Sequence, residues 1–243
     1  MGVNMKITAF NGSHYKGKSN TQLMVGDFLA GASEAGADTE SILLIDSDVR
    51  PCTRCMECFA QGHCQLKDDM SSLTKKFRDS DIVIFASPLY MDMVSGLMKT
   101  FIDRLLPLLD PHFVQDEHGE YRHMRRHERY PDFVVMSNGH MPEMSQFQAV
   151  RLFMSRFART MHTQVIAQIY RSAGGLLNSE EESFRPAVKA YRQLLREAGR
   201  ELVLKGRISD QTARELEKEL VPIDEYISYA NKMWDKILHA GVK

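Results

Sequence analysis

Apolar positions along the chain fall into short strand-sized runs that alternate with longer amphipathic stretches. Residues 6–10 form the first run; Asn11-Gly12-Ser13 breaks it, and Ser19-Asn20-Thr21 opens a helical pattern reaching about residue 35. Residues 39–44 give a second strand. Asp68 is placed to cap a helix over residues 69–78, and residues 81–86, with the run Ile82-Val83-Ile84-Phe85, give a third strand. A helix over 96–106, a strand over 132–137, a long helix over 143–160 and a strand over 164–170 complete the alternation. Parallel strands need long crossovers, so this alternation predicts right-handed βαβ units and a three-layer α/β fold with helices on both faces of a parallel sheet.

After Asn178 only helical patterns remain, over residues 180–205, 209–220 and 222–239, punctuated by Gly206 and Pro222. Residues 1–177 are therefore expected to form the main domain and residues 178–243 a C-terminal helical extension of it. The apolar positions of that extension, among them Tyr191, Leu195, Leu202, Tyr226, Tyr229 and Trp234, fit packing on the sheet layers or on another subunit.

Composition changes this picture little. The chain has 243 residues, 43% of them hydrophobic, and its 31 basic and 32 acidic side chains nearly cancel. Nothing points to a nucleic-acid or membrane surface, and no apolar run is long enough to span a bilayer. Residues 1–10 carry no signal-peptide pattern, so a cytoplasmic location is expected. All four cysteines lie between Cys52 and Cys64, which leaves none elsewhere to staple distant parts of the chain. The fifteen methionines read mainly as core filler.

Three loops leave the carboxyl ends of predicted strands, the edge at which open α/β sheets bind ligands. The first, residues 11–21, places Ser13, Lys18, Ser19, Asn20 and Thr21 beside a helix N-terminus, where backbone N–H groups and the helix dipole favour a phosphate. It matches neither GxGxxG nor GxxxxGK[ST], so neither a dinucleotide nor a P-loop nucleotide is indicated. The alternative is an ordinary βα turn capped by Ser19. The second loop, Ser87-Pro88-Leu89-Tyr90-Met91, offers flat apolar surface suited to a planar ring, or else simple edge packing. The third, Ser137-Asn138-Gly139-His140, is polar and glycine-containing, able to donate to a ring carbonyl or a sugar chain, or to act as a plain turn.

Asn11-Gly12-Ser13 with Ser19-Asn20-Thr21, then Ser87-Pro88-Leu89-Tyr90, then Lys99-Thr100-Phe101-Ile102-Asp103-Arg104 resemble the NADPH-dependent FMN reductases of the flavodoxin-like superfamily over residues 5–170. Pro51-Cys52-x-x-Cys55-x-x-Cys58 and Cys64 before Asp68-Asp69-Met70 bring the resemblance nearer to the iron-sulfur flavoprotein branch. That resemblance implies a five-stranded parallel sheet of order 2-1-3-4-5 and bound FMN. NAD(P)H or a reduced carrier would be the electron source, and a small molecule or a protein the donor or acceptor. By position, Ser13, Ser19, Asn20 and Thr21, with Lys18 beside them, would hold the FMN phosphate. Pro88, Leu89, Tyr90 and Met91 would line the isoalloxazine, with Ser137 and Gly139 as further contacts.

The cysteine spacing in the loop at 51–64 is C-x2-C-x2-C-x5-C, more compact than a zinc ribbon with its two separated knuckles. Compact spacing favours a cuboidal cluster, and Cys52, Cys55, Cys58 and Cys64 together satisfy the four ligands of a 4Fe–4S centre. Zinc and free thiols remain the alternatives. The function expected is an FMN-dependent redox protein with such a cluster. Its rivals are an NAD(P)H-dependent FMN, quinone or nitro reductase without one, and a cysteine-based metal or redox sensor. No catalytic triad is required, because the cofactor carries the chemistry. A homodimer or homotetramer is expected. The His- and Arg-rich stretch 112–129 reads as a solvated insertion, and Asp103-Arg104 as a structural ion pair.

Overall fold

A computed structural model describes residues 5–240. The outermost parts of the two stretches expected above, residues 1–4 and 241–243, lie outside the described residues. In chain order the elements are β1 (Lys6–Asn11), α1 (Asn20–Glu34), β2 (Asp38–Leu43), α2 (Glu57–Gln61), α3 (Met70–Arg78), β3 (Ile82–Tyr90), β4 (Met93–Val94) and α4 (Gly96–Asp103). There follow β5 (Leu109–Gln115), β6 (Tyr121–Arg125), β7 (Asp132–Asn138), α5 (Gln148–Thr160), β8 (Val165–Arg171), α6 (Arg185–Lys205), α7 (Asp210–Glu217) and α8 (Ile223–Ala240).

The main sheet runs β2-β1-β3-β7-β8 with every neighbour parallel, while β4 folds back on the end of β3. This is the 2-1-3-4-5 order of the flavodoxin-like fold. Successive residues of each strand face opposite layers. Val83, Phe85, Phe133 and Val135 meet Leu73 and Phe77 of α3, Phe101 of α4 and Met154 of α5 on one face. Ile82, Ile84, Val134 and Met136 meet Met24 and Phe28 of α1 and Tyr191, Leu195 and Leu202 of α6 on the other. Each of the fully buried side chains contributes roughly 2–3 kcal/mol.

Helix α6 lies against α1 at backbone distance. A Cβ at Gly31 would sit 1.9 Å from the Arg196 carbonyl oxygen, and one at Gly199 would sit 2.0 Å from that of Phe28. Asp27, almost wholly buried, accepts from Arg192 Nε at 2.7 Å across the same contact.

Several local expectations are corrected. Asp69 precedes α3 without a side-chain bond, and the Asp68 carboxylate both accepts from the Met70 N–H at 3.2 Å, as a cap does, and takes Arg104 as a second partner that sequence did not suggest. The helix expected over 143–160 starts as a 3-10 turn at Met144–Phe147, and the one expected from 180 starts at Arg185. The basic stretch is an antiparallel hairpin, β5 with β6, held to the body by inward-pointing arginines. Among the described residues no helix is long and apolar enough to cross a membrane.

Candidate functional site

Register fixes where the loops emerge. Asn11 pairs with Ala86, and Ala86 with Met136, so the chain leaves β1, β3 and β7 at one level of the carboxyl edge. A cleft of about 350 Å³ opens there, lined by Ser13, Tyr15, Lys18, Ser19, Asn20 and Thr21 from the first loop, Pro88, Leu89 and Tyr90 from β3, and Asn138, Gly139 and His140 after β7. Gly175 and Asn178, beyond β8, close the ring. Nine of the eleven cofactor positions expected from the sequence thus share one cavity. Met91 and Ser137 are not among its walls: Met91 is 97% exposed, and Ser137 is buried with its hydroxyl unpartnered.

The first loop is shaped by its own polar groups. Asn11 Oδ1 accepts from the Ser13 N–H at 2.9 Å, and Ser13 Oγ from the Tyr15 N–H at 3.2 Å. Ser19 caps α1, its hydroxyl accepting from the Gln22 N–H at 3.0 Å. Gly12 must be bare, because a Cβ would lie 2.8 Å from both Met98 Cβ and Ser95 Oγ. The first turn of α1 carries no acidic residue, so its dipole is not offset. Lys16 is spent on Asp46 at 2.9 Å, whereas among the described residues Lys18 makes no ion pair and faces the cleft. An unneutralised ammonium and free helix N-terminal amides fit a phosphate.

The opposite wall is a tight hairpin. Leu89 pairs with Val94 and Tyr90 with Met93, and the two linking residues, Met91 at φ 48° and Asp92 at φ 59°, are both left-handed. Two successive positive φ values make the two-residue turn that suits strand twist. It presents the half-exposed Tyr90 ring beside the His14 ring, their centroids 5.8 Å apart. Ser87 Oγ accepts from the Ser95 N–H at 2.8 Å and anchors the base of this hairpin. Across the cleft, Asn138 Nδ2 donates to Thr21 Oγ1 at 2.8 Å, and Asn178 Nδ2 donates to the Lys18 carbonyl at 3.0 Å and to Asn20 Oδ1 at 2.6 Å. Asn178 and Gly175 were missed in the sequence, although the glycine pair following the fifth parallel strand obeys the same edge rule as the other loops.

The cysteine loop lies between β2 and α3. Arg54 (φ 55°) and Met56 (φ 65°) adopt left-handed backbone, and the Arg54 N–H points at Cys52 Sγ from 3.4 Å. Cys52 and Cys55 are exposed, Cys64 is partly covered and Cys58 is buried. Burial first, then the neighbouring Cys64, Cys52 and Cys55, pushes the Cys58 thiol up. Among the described residues, however, no three or more His, Cys, Asp or Glu side chains are gathered closely enough to hold a metal ion. The donor set suits a cluster in chemistry and neighbourhood; its present spread does not.

One residue ties this loop to the sheet. Arg104, at the C-terminus of α4 and 2% exposed, donates through Nη1 to Asp68 Oδ2 at 2.6 Å and to the Arg50 carbonyl at 2.5 Å. Its Nη2 donates to Asp68 Oδ1 at 3.0 Å and to Cys64 Sγ at 3.4 Å. Burial alone would raise the Asp68 carboxyl, yet the Arg104 fork and the Arg50 and Met70 N–H groups hold it below its ordinary range. The expected Asp103–Arg104 pair does not form: Asp103 takes Lys99 at 2.6 Å, one helical turn away. From the hairpin, Arg126 Nη2 donates to the Phe59 carbonyl of α2 at 2.7 Å.

A family model for NADPH-dependent FMN reductase matches residues 5–123. The match takes in the first two cleft loops, the cysteine loop and Arg104, and stops before β7. An iron-sulfur flavoprotein of Methanocaldococcus jannaschii is 36% identical over 104 residues, which is 43% of this chain and 53% of that protein. The chain spans about half the length of the curated relatives it matches. Among solved structures, an FMN-dependent NADH-azoreductase from Bacillus anthracis in complex with FMN superposes with a TM-score of 0.59 at 14% identity, covering 82% of this chain and 99% of that one. An NAD(P)H:quinone oxidoreductase from Methanothermobacter marburgensis gives a TM-score of 0.57 at 16% identity, covering 82% and 100%. At such identities the structures establish the fold.

Proposed function

We propose that the protein is an FMN-dependent oxidoreductase that passes electrons from NAD(P)H or a reduced carrier to an acceptor, with a 4Fe–4S cluster on its cysteine loop. The observation that carries the flavin part is the single cleft that joins an unneutralised phosphate loop to a flat apolar wall at the carboxyl edge of a flavodoxin-like sheet. When bound, FMN supplies the redox chemistry, taking two electrons from NAD(P)H and releasing them to the acceptor.

The protein's share is binding and orientation. Ser13, Ser19, Asn20 and Thr21, with the amides at the start of α1 and Lys18, would hold the phosphate. Pro88, Leu89 and Tyr90 would support the ring, and Gly139 leaves bare backbone beside Leu89, where a Cβ would come within 3.2 Å of Leu89 Cδ2. Thr21 is locked by Asn138, and Asn20 by Asn178, so the phosphate donors are held in place before any ligand arrives.

The cluster rests on the donor set and on the names of the relatives. Cys52, Cys55, Cys58 and Cys64 would hold it, with Arg104 and the Arg54 N–H already directed at two of the sulfurs. The apolar groove between α4 and α5, lined by Ile102, Leu106, Phe153 and Phe157, supports self-association as a homodimer or homotetramer, which light scattering measures.

The deciding experiment is an absorption spectrum of anaerobically purified protein with flavin extraction and iron and sulfide assays. Flavin with about four irons per chain supports the whole proposal. Flavin without iron leaves an NAD(P)H-dependent FMN, quinone or nitro reductase. Absence of flavin overturns it.

A further inference from the structure

The last helix reaches the cleft from outside the segment that matches the reductase family. Tyr226, 2% exposed on α8, donates its hydroxyl to the His140 carbonyl oxygen, and that hydroxyl lies 3.3 Å from His140 Nδ1. One face further along α8, Trp234 Nε1 lies 3.4 Å from His140 Nε2. An indole N–H only donates, so Nε2 accepts and the proton sits on Nδ1, facing the Tyr226 oxygen. Both nitrogens of the imidazole are thereby committed to α8. Both aromatic rings also meet the imidazole edge-on, each with a centroid separation of 6.0 Å, at 66° for Tyr226 and 78° for Trp234.

The same helix supports a second stretch of cleft wall. Tyr226 and Ala230 pack on Ala173 and Leu176, which bracket the cleft residue Gly175. A single element therefore fixes the loop after β7 and the loop after β8, the two walls that do not come from β1 or β3.

We infer that α8 is a positioning element of the flavin site, with Tyr226 and Trp234 holding His140 against the bound cofactor; this rests on the FMN reading above. With both nitrogens spent on α8, His140 serves as a fixed wall and not as a proton donor to the cleft. Coupling is reciprocal, so docking of α8 strengthens FMN binding and FMN in turn slows the opening of α8.

The test titrates FMN into flavin-free full-length protein, followed by the fluorescence of the flavin itself, for wild type, Tyr226→Phe and Tyr229→Phe. Tyr229 lies on the same helix and loses a comparable hydroxyl bond, one accepted from Ser179 Oγ at 2.9 Å and not made to His140. Tyr226→Phe is expected to raise the dissociation constant about tenfold, with Tyr229→Phe within twofold of wild type. Hydrogen exchange of the α8 amides is expected to slow when FMN is added to wild type. Equal affinities for the two variants, or α8 exchange indifferent to FMN, overturn the inference while leaving the flavin site intact. Absence of FMN binding to wild type overturns the flavin reading itself.

Discussion

Replacing Asp68 by Asn removes the carboxylate that faces the buried end of Arg104. The guanidinium is 1% exposed and the carboxylate 0%, with two hydrogen bonds between them, so a buried cation is left without its counter-charge. Breaking such a pair from one side costs about 3–5 kcal/mol. For a chain of this length each kcal/mol moves the melting temperature by roughly 2–4 °C, so a fall of roughly 6–20 °C follows. The pH dependence has a definite sign. The folded carboxyl titrates below its unfolded value of 3.8, so its stabilisation is complete above that value and fades as pH falls through the lower, folded one. Melting followed by circular dichroism should therefore show a constant gap between wild type and Asp68→Asn down to about pH 5, narrowing below 3.8. Arg104 also holds Cys64, so the variant's Cys64 should be alkylated faster in metal-free protein. A gap under 2 °C at pH 7, or one that widens in acid, would refute the account, the first figure being about the smallest shift worth one kcal/mol here.

Ser19→Ala removes the α1 cap and, on the proposed reading, a phosphate donor; a loss of about 1 kcal/mol in urea unfolding, together with weaker FMN binding, is expected, and unchanged affinity would exclude Ser19 from the site. Lys18→Met should raise the FMN dissociation constant and flatten its dependence on salt while leaving the melting temperature within about 2 °C. Gly199→Ala drives a Cβ into the Phe28 carbonyl, which α6 relieves only by lifting off α1; unfolding free energy should fall by about 1–3 kcal/mol or more. In reduced, metal-free protein at pH 8, the exposed Cys52 and Cys55 should be alkylated before Cys58, whose thiol is raised by burial and by its neighbours; labelling followed by mass spectrometry gives the order.

The parallel sheet was legible because β1, β3 and β7 are buried on both faces and read as continuous apolar runs. Three of the four cleft loops were legible for a related reason, since polar and glycine residues break those runs abruptly at the strand ends. The β5–β6 hairpin was not, because its strands are mostly exposed and carry arginines and histidines where alternating apolar residues would announce a strand. Arg104 was misassigned on sequence adjacency. Neighbours on a helix point apart, and Lys99 at four residues' distance was the visible partner for Asp103. Its true partner Asp68 lies 36 residues away, a pairing that only the folded chain reveals. The role of α8 at His140 was hidden in the same way, across 86 residues.

The glycine contact between α1 and α6 sets the mechanical character of the cleft. Helix α1 cannot slide or tilt without separating two backbones already in contact, so the end of the cleft at α1 is a fixed jaw. The opposite jaw is a two-residue hairpin turn and a loop propped by side chains of α8, both of which yield at far lower cost. Under the proposed function, acceptors of differing size would be accommodated at the ring end alone, while the anchor for the cofactor would stay the same for all of them.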